Sequence, residues 1–185
     1  MAFWTSSEAE PKRKFRFKVS IFTNTDGIAW YTKSISAPSF EVSSIEHHFS
    51  DHVFHYPGKI KWNDISVTLI DPAGDNDVVN STLAMIDAAG YQIPGDPSSD
   101  GAFDSFSKAE LTGNNGNVIL EALDQSGNAL ERWELHNAFI TAAKFGDFDY
   151  ASEDMREIEL TFKYDWASCT LGSGNGNKTY FSTGG

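Results

Sequence analysis

Residues 156–166 read REIELTFKYDW, and their alternation sets Ile158, Leu160, Phe162, Tyr164 and Trp166 against Glu157, Glu159, Thr161, Lys163 and Asp165. Successive side chains of a strand point to opposite faces, so the segment predicts a half-buried β-strand laid on a core. Residues 12–22, KRKFRFKVSIF, repeat the pattern with Phe15, Phe17, Val19 and Ile21 opposite Lys14, Arg16, Lys18 and Ser20. These two stretches set the expectation of a mainly β chain.

Working outward, Asn24-Thr25-Asp26-Gly27 supplies turn chemistry before a second β-prone stretch at 30–36, which predicts a hairpin of the first two strands. A third extended segment covers 40–49. A His-rich loop follows, and Tyr56-Pro57-Gly58-Lys59 reads as a turn. Residues 59–70 form a further strand, whose apolar phase shifts at Asn63-Asp64 through a bulge or a twist. Asp71-Pro72 ends it, and Asp75 or Asn76 caps a helix over 76–89 that buries Val79, Leu83 and Ile86. Residues 91–104 read as a long surface connection. Strands are expected at 105–111, 117–123 and 129–144, the last as two strands or one bent strand. After Leu171 the sequence GSGNGNKTYFSTGG loses periodicity and reads as a flexible arm unless a neighbouring subunit orders it.

The length of 185 residues suits one domain, with a core over about 11–168 and a C-terminal arm at 169–185. Aromatic residues make up 14%, which favours ordered packing. No apolar run approaches the roughly 20 residues of a membrane helix, and residues 1–10 contain no signal-peptide core. The lone Cys169 forms no internal disulfide and reads as a small packing residue. Net charge is −12, and Lys12, Arg13, Lys14, Arg16 and Lys18 concentrate much of the basic charge; from Val19 onward 24 acidic side chains face nine basic ones. That balance argues against tight nucleic-acid binding by counterion release, while letting DNA pass without sticking.

No chemistry emerges from the motifs. His47, His48, His52 and His55 cluster, but adjacent histidines on an extended chain face apart and no cysteine completes a metal set. Asp71, Asp75 and Asp77 lack the spacing and distal Glu of a calcium loop. Glu157 and Glu159 share a strand face but have no apolar pocket to separate their pKa values. There is no phosphate-binding glycine loop and no nucleophile elbow. The chain is expected to be no enzyme and to need no cofactor or metal.

Several ordered stretches resemble the tail tube proteins of contractile-tailed bacteriophages: PKRKFRFKV at 11–19, SISAPSFEV at 34–42, HVFHYPGKIKWNDISVTLIDP at 52–72, WELHNAFITAAKFGDFDY at 133–150 and EIELTFKYDWAS at 157–168. The resemblance implies an antiparallel β-sandwich or barrel with one flanking helix, assembling into hexameric rings that stack into a tube. It extends to the tubes of type VI secretion and contractile bacteriocins. The implied function is a conduit for DNA ejection in the virion tail, assembled in the host cytoplasm. Its partners would be other copies of itself, a tail sheath outside, baseplate and tail terminator at the ends, and tape-measure protein and genomic DNA in the lumen without sequence-specific binding, with no membrane. Rival readings are a baseplate tube-initiator ring, the tube of a secretion or bacteriocin apparatus and, from another class, a small carbohydrate-binding β-barrel using Trp30, Trp62 and Trp133.

Two sets of residues follow from this reading. The lumen is expected to be acidic or neutral and to draw on Lys14, Arg16, Lys18, Glu157, Glu159 and Lys163, with the cations of 14–18 pairing Glu157 and Glu159 across neighbouring strands. The segment 46–59 is expected to project and contact the next ring through His47, His48, Phe49, His52, Val53, Phe54 and Tyr56, against the alternative of a hairpin folded onto its own core.

Overall fold

The structure is a computed structural model and describes residues 11–21, 31–73, 77–88, 91, 107–112, 117–172 and 177–182. The described residues form eleven strands and two helices in the order β1 Phe17–Ile21, β2 Thr32–Ile35, β3 Phe40–Phe49, β4 His52–Trp62, β5 Ile65–Ile70, α1 Val78–Ala88, α2 Lys108–Thr112, β6 Val118–Leu123, β7 Ala129–His136, β8 Phe139–Lys144, β9 Glu157–Lys163, β10 Trp166–Leu171 and β11 Thr179–Tyr180. All pairings are antiparallel. A five-stranded sheet runs β1-β6-β7-β10-β11, a four-stranded sheet runs β2-β5-β9-β8, and β3 and β4 pair only with each other.

Alternation accounts for the core. Val19, Ile21, Val118, Leu120, Leu135 and Ala167 come from the five-stranded sheet and meet Ile65, Val67, Leu69, Ile158, Leu160 and Phe162 from the four-stranded sheet in one buried cluster. Phe162 and Ile158 are fully buried. The intervening side chains therefore point away on two opposite outer faces. The sheets join at a corner where β7 continues into β8 and β9 into β10. Asn137 turns it in a left-handed conformation, φ 56°, which asparagine tolerates. The Asp165 amide donates to the His136 carbonyl at 3.1 Å, and the Asp165 carboxylate accepts from Lys108 at 2.6 Å and Asn137 at 2.8 Å. Those two donors, Lys108 first, hold Asp165 below the usual carboxylate range.

The expected strands at 40–49 and 117–123 are present, 129–144 is two strands lying in different sheets, and the strand expected at 156–166 ends at Lys163, because the chain turns at Tyr164-Asp165 and Trp166 opens β10 in the other sheet. Several expectations are corrected. β1 does not pair with β2: it pairs with β6 while β2 pairs with β5, so the first two strands belong to different sheets. Only Phe17, Val19 and Ile21 of the expected apolar face pack inward, and Phe15 lies exposed before the strand. Residues 108–112 are helical. Ser107 Oγ accepts from the Glu110 amide at 3.1 Å and Glu110 Oε2 from the Ser107 amide at 3.2 Å, a reciprocal cap that starts a helix where alternation suggested a strand.

α1 is capped by Asp77, whose Oδ1 accepts from Val79 and Asn80. It buries Val78 and Thr82, one turn apart, and leaves Leu83 half exposed, so the inward face is set one residue earlier than expected. Residues 59–70 break at Asn63-Asp64 into β4 and β5, in different sheets. The expected turn at 24–27, the caps Asp75 and Asn76, and the connection 92–104 lie outside the described residues.

Candidate functional site

The β3–β4 hairpin departs from the sandwich logic, because its two strands belong to neither of the larger sheets. It reverses at Ser50-Asp51, with Ser50 at φ 57°, rather than at Pro57-Gly58. Pro57-Gly58 instead marks a β-bulge. Val42 faces Ile60 and Ser44 faces Pro57, so Ser43 alone opposes Gly58 and Lys59. Ser43 Oγ accepts from the Lys59 amide at 2.9 Å, and a Cβ at position 58 would collide with that hydroxyl, which explains the glycine.

The bulge decides which side is sticky. Along β4 the large apolar residues Phe54, Tyr56, Ile60 and Trp62 fall on even positions, and the smaller Val53 falls on an odd one. Beyond the bulge, at the tip, Phe54 and Tyr56 share a face with Ile45, Phe49, His47 and His52. Before it, at the root, Ile60 and Trp62 share the opposite face with Phe40 and Val42. The root face turns toward the body of the subunit: the rings of Phe40 and Trp62 lie 5.3 Å apart, and Trp62 lies 5.9 Å from Tyr164. The tip face stands open among the described residues. Ile45 is 63% exposed, Phe49 69%, Phe54 45% and Tyr56 55%.

The seven residues expected to meet the next ring thus divide. His47, Phe49, His52, Phe54 and Tyr56 lie on the apolar tip face, with Ile45, which sequence reasoning missed. His48 and Val53 lie on the back with Glu46 and His55. Glu46 is 3.7 Å from His48 and 3.9 Å from His55. Among the described residues no group of histidine, cysteine and carboxylate side chains is arranged to hold a metal ion.

The lumen candidates also divide, and the pairing expected between them does not form. Lys18 lies on the outer face of the five-stranded sheet, with Lys14 and Arg16 just ahead of β1. Glu157, Glu159 and Lys163 lie on the outer face of the four-stranded sheet, on the far side of the core. A sandwich cannot turn both outer faces to one pore. On the four-stranded face, Glu157 instead pairs with Lys33 and raises the Lys33 pKa, Glu159 pairs with Lys144 at 2.7 Å, and Lys163 pairs with Asp64 at 3.6 Å. Three lysines thus pair with three carboxylates along this face, and Lys144, Glu157 and Glu159 also border a shallow depression of about 470 Å³ together with Thr68 and Asp147. Lys33, Lys144 and Asp64 were not foreseen, because each comes from a different part of the chain.

At one end of this face Arg156 donates to Asp71 at 3.1 Å and to the Phe145 carbonyl at 2.7 Å, tying β5, β8 and β9 together. Gly146 there has φ 72°, and a Cβ on it would collide with the Glu157 carbonyl. The buried Cys169 faces Tyr180 and Trp133 across its neighbouring strands, and burial pushes its thiol pKa up. It is a packing residue. No described helix is long and apolar enough to cross a membrane.

Comparison with known proteins converges on one group. The profile of the T4-like virus tail tube protein gp19 family matches residues 13–166. Among solved structures, a chain of the anti-feeding prophage tube-terminating cap superposes with a TM-score of 0.64 at 18% identity, over 88% of this chain and 93% of that one. A chain of the sheath/tube terminator of an extracellular contractile injection system, PVC, gives 0.64 at 19%, over 88% and 98%. One from the sheath–tube complex of the same system gives 0.63 at 18%, over 88% and 93%. No curated protein sequence matches.

Proposed function

We propose that this chain, which belongs to the T4-like virus tail tube protein gp19 family, builds stacked hexameric rings forming the inner tube of a contractile tail and the conduit for DNA ejection. The family is one of structural tube proteins, not enzymes. A sheath would surround the tube, baseplate and terminator would close its ends, and tape-measure protein and then genomic DNA would occupy the lumen of the virion tail. The observation that carries the reading is the hairpin: a ten-residue and an eleven-residue strand leave the body and present an unpartnered apolar face at their tip. Contiguous exposed apolar area of that kind marks an interaction surface. The occupant is the neighbouring ring.

Strand direction supports closure through the four-stranded sheet. Its edges β2 and β8 run in opposite directions, so identically oriented neighbours would meet antiparallel. The five-stranded sheet ends on β1 and the two-residue β11, which run the same way and offer a poorer junction. Closure this way puts the outer face with Glu157, Glu159 and Lys163 in the lumen and leaves Lys14, Arg16 and Lys18 outside it. Paired lysines retain less counterion-releasing affinity for phosphates than free ones, so DNA slides past.

Electron microscopy of the purified protein tests both parts. Rings and long tubes are expected from the natural sequence. Replacement of residues 47–55 by a Gly-containing turn is expected to yield soluble rings without tubes, and normal tubes from that variant would refute the hairpin's role. A second reading, a baseplate tube-initiator ring, predicts that the natural sequence stops at single rings.

A further inference from the structure

We propose that residues 177–182 form a strap that fixes the direction of the β3–β4 hairpin, so that the C-terminal arm governs how the tip is presented to its partner. This rests on the hairpin being the docking element argued above. The arm lies beyond the span matched by the family, which ends at residue 166, yet it folds onto its own chain rather than lying free. Thr179 and Tyr180 pair with Thr170 and Cys169 as β11; the Leu171 amide donates to the Lys178 carbonyl at 3.0 Å, and the hydroxyls of Thr170 and Thr179 lie 3.0 Å apart.

The chain then turns sharply at Phe181, φ 57°. A bulky residue in the left-handed region is strained, and such conformations persist where the surroundings over-determine them. Here the turn drives the Phe181 ring into the hairpin root, 5.7 Å from Trp62 and 5.9 Å from Phe40, both edge to face. An open apolar groove of about 360 Å³ continues beneath it to Trp166.

Geometry gives this contact leverage. The hairpin packs broadly on no other described element, so its angle to the body depends on root contacts. Tyr164, at the end of β9, holds Trp62 from the body side, and Phe181 holds Trp62 and Phe40 from the arm. A small swing at the root is multiplied along strands of ten and eleven residues before it reaches Phe49 and Phe54. Phe181 is thus a positioning residue for a contact it does not itself make.

Hydrogen exchange on unassembled subunits tests the strap independently of tube formation. Phe181→Ala, and separately truncation after Gly172, are expected to accelerate exchange of hairpin amides about tenfold or more while β5 and β9 keep their protection. Phe181→Leu, which retains apolar bulk, is expected to restore most of the difference. Tube lengths should shorten in the same order. Unchanged hairpin exchange in both variants overturns the proposal, and so does loss of protection throughout the sandwich, which would make the arm an ordinary part of the fold. If the 47–55 replacement made normal tubes while these exchange effects appeared, the strap would stand and the docking role of the hairpin would fall.

Discussion

Strand β9 and the β3–β4 hairpin draw on the same kinds of apolar side chain and put them to opposite uses. In β9, Ile158, Leu160 and Phe162 all face the second sheet and are at most 3% exposed. In the hairpin, Ile45, Phe49, Phe54 and Tyr56 share a face just as consistently and remain open. Alternation shows that a strand has an apolar side, but not whether the covering layer belongs to the same molecule. In β9 intrachain burial contributes to folding. On the proposed docking role of the hairpin the equivalent burial is deferred to association, so its side chains should matter to assembly and hardly to stability.

The largest test of that contrast is a pair of truncations. Phe162→Ala should cost about 3–5 kcal/mol, read from denaturant midpoints. Phe54→Ala should change folding stability by about 0.5 kcal/mol or less and still abolish long tubes. Equal stability losses would erase the distinction. Next, Arg156→Met leaves the mostly buried Asp71 carboxylate without its cation and the Phe145 carbonyl without a donor. A loss of about 1.5–3 kcal/mol is expected, seen as a lower melting temperature with hairpin exchange unchanged.

The boundary between the regions should respond to alkali. Burial pushes the Tyr164 pKa up to about 12, against about 10 for a free phenol. The fold favours the protonated form, so this contribution is complete below pH 10 and is lost as pH rises through about 12. Phenolate absorbance should therefore rise together with hairpin exchange, because Tyr164 supports Trp62; hairpin exchange that stayed flat through the titration would separate the two. The smallest effect concerns α1. Leu83→Ala on its half-exposed site should cost about 0.5 kcal/mol or less, whereas Val78→Ala should cost about 1–2 kcal/mol, as compared by thermal melts.

Period-2 patterning made β9 and β6 legible because each lies in one sheet with a single face inward. It failed where chemistry of another kind overrode it. Ser107 and Glu110 form a reciprocal cap that turns the following residues helical, and their S-x-x-E spacing is the local signal that the strand expected at 105–111 overlooked. Pro57-Gly58 reads as a turn because those residues usually make one, yet here they accommodate an extra residue within a strand. The ion pairs on the outer face of the four-stranded sheet were illegible for a different reason. Which lysine meets Glu157 or Glu159 depends on sheet order, and β2-β5-β9-β8 follows from long-range pairing that no local pattern encodes. The arm could be read only as aperiodic, since its anchoring rests on two backbone pairs and one ring.

The bulge at Ser43 opposite Gly58 and Lys59 also constrains how this lineage can vary. Loss of one residue there would remove the bulge and leave Tyr56 opposite Ile45 on the same face, whereas loss of one residue nearer the tip of β4 would turn the residues after it onto the face carrying Glu46. Matched two-residue changes beyond the bulge would preserve the face and alter only reach. Viable descendants should therefore differ beyond the bulge by even steps, and an odd step should survive only where a bulge is gained or lost to absorb it.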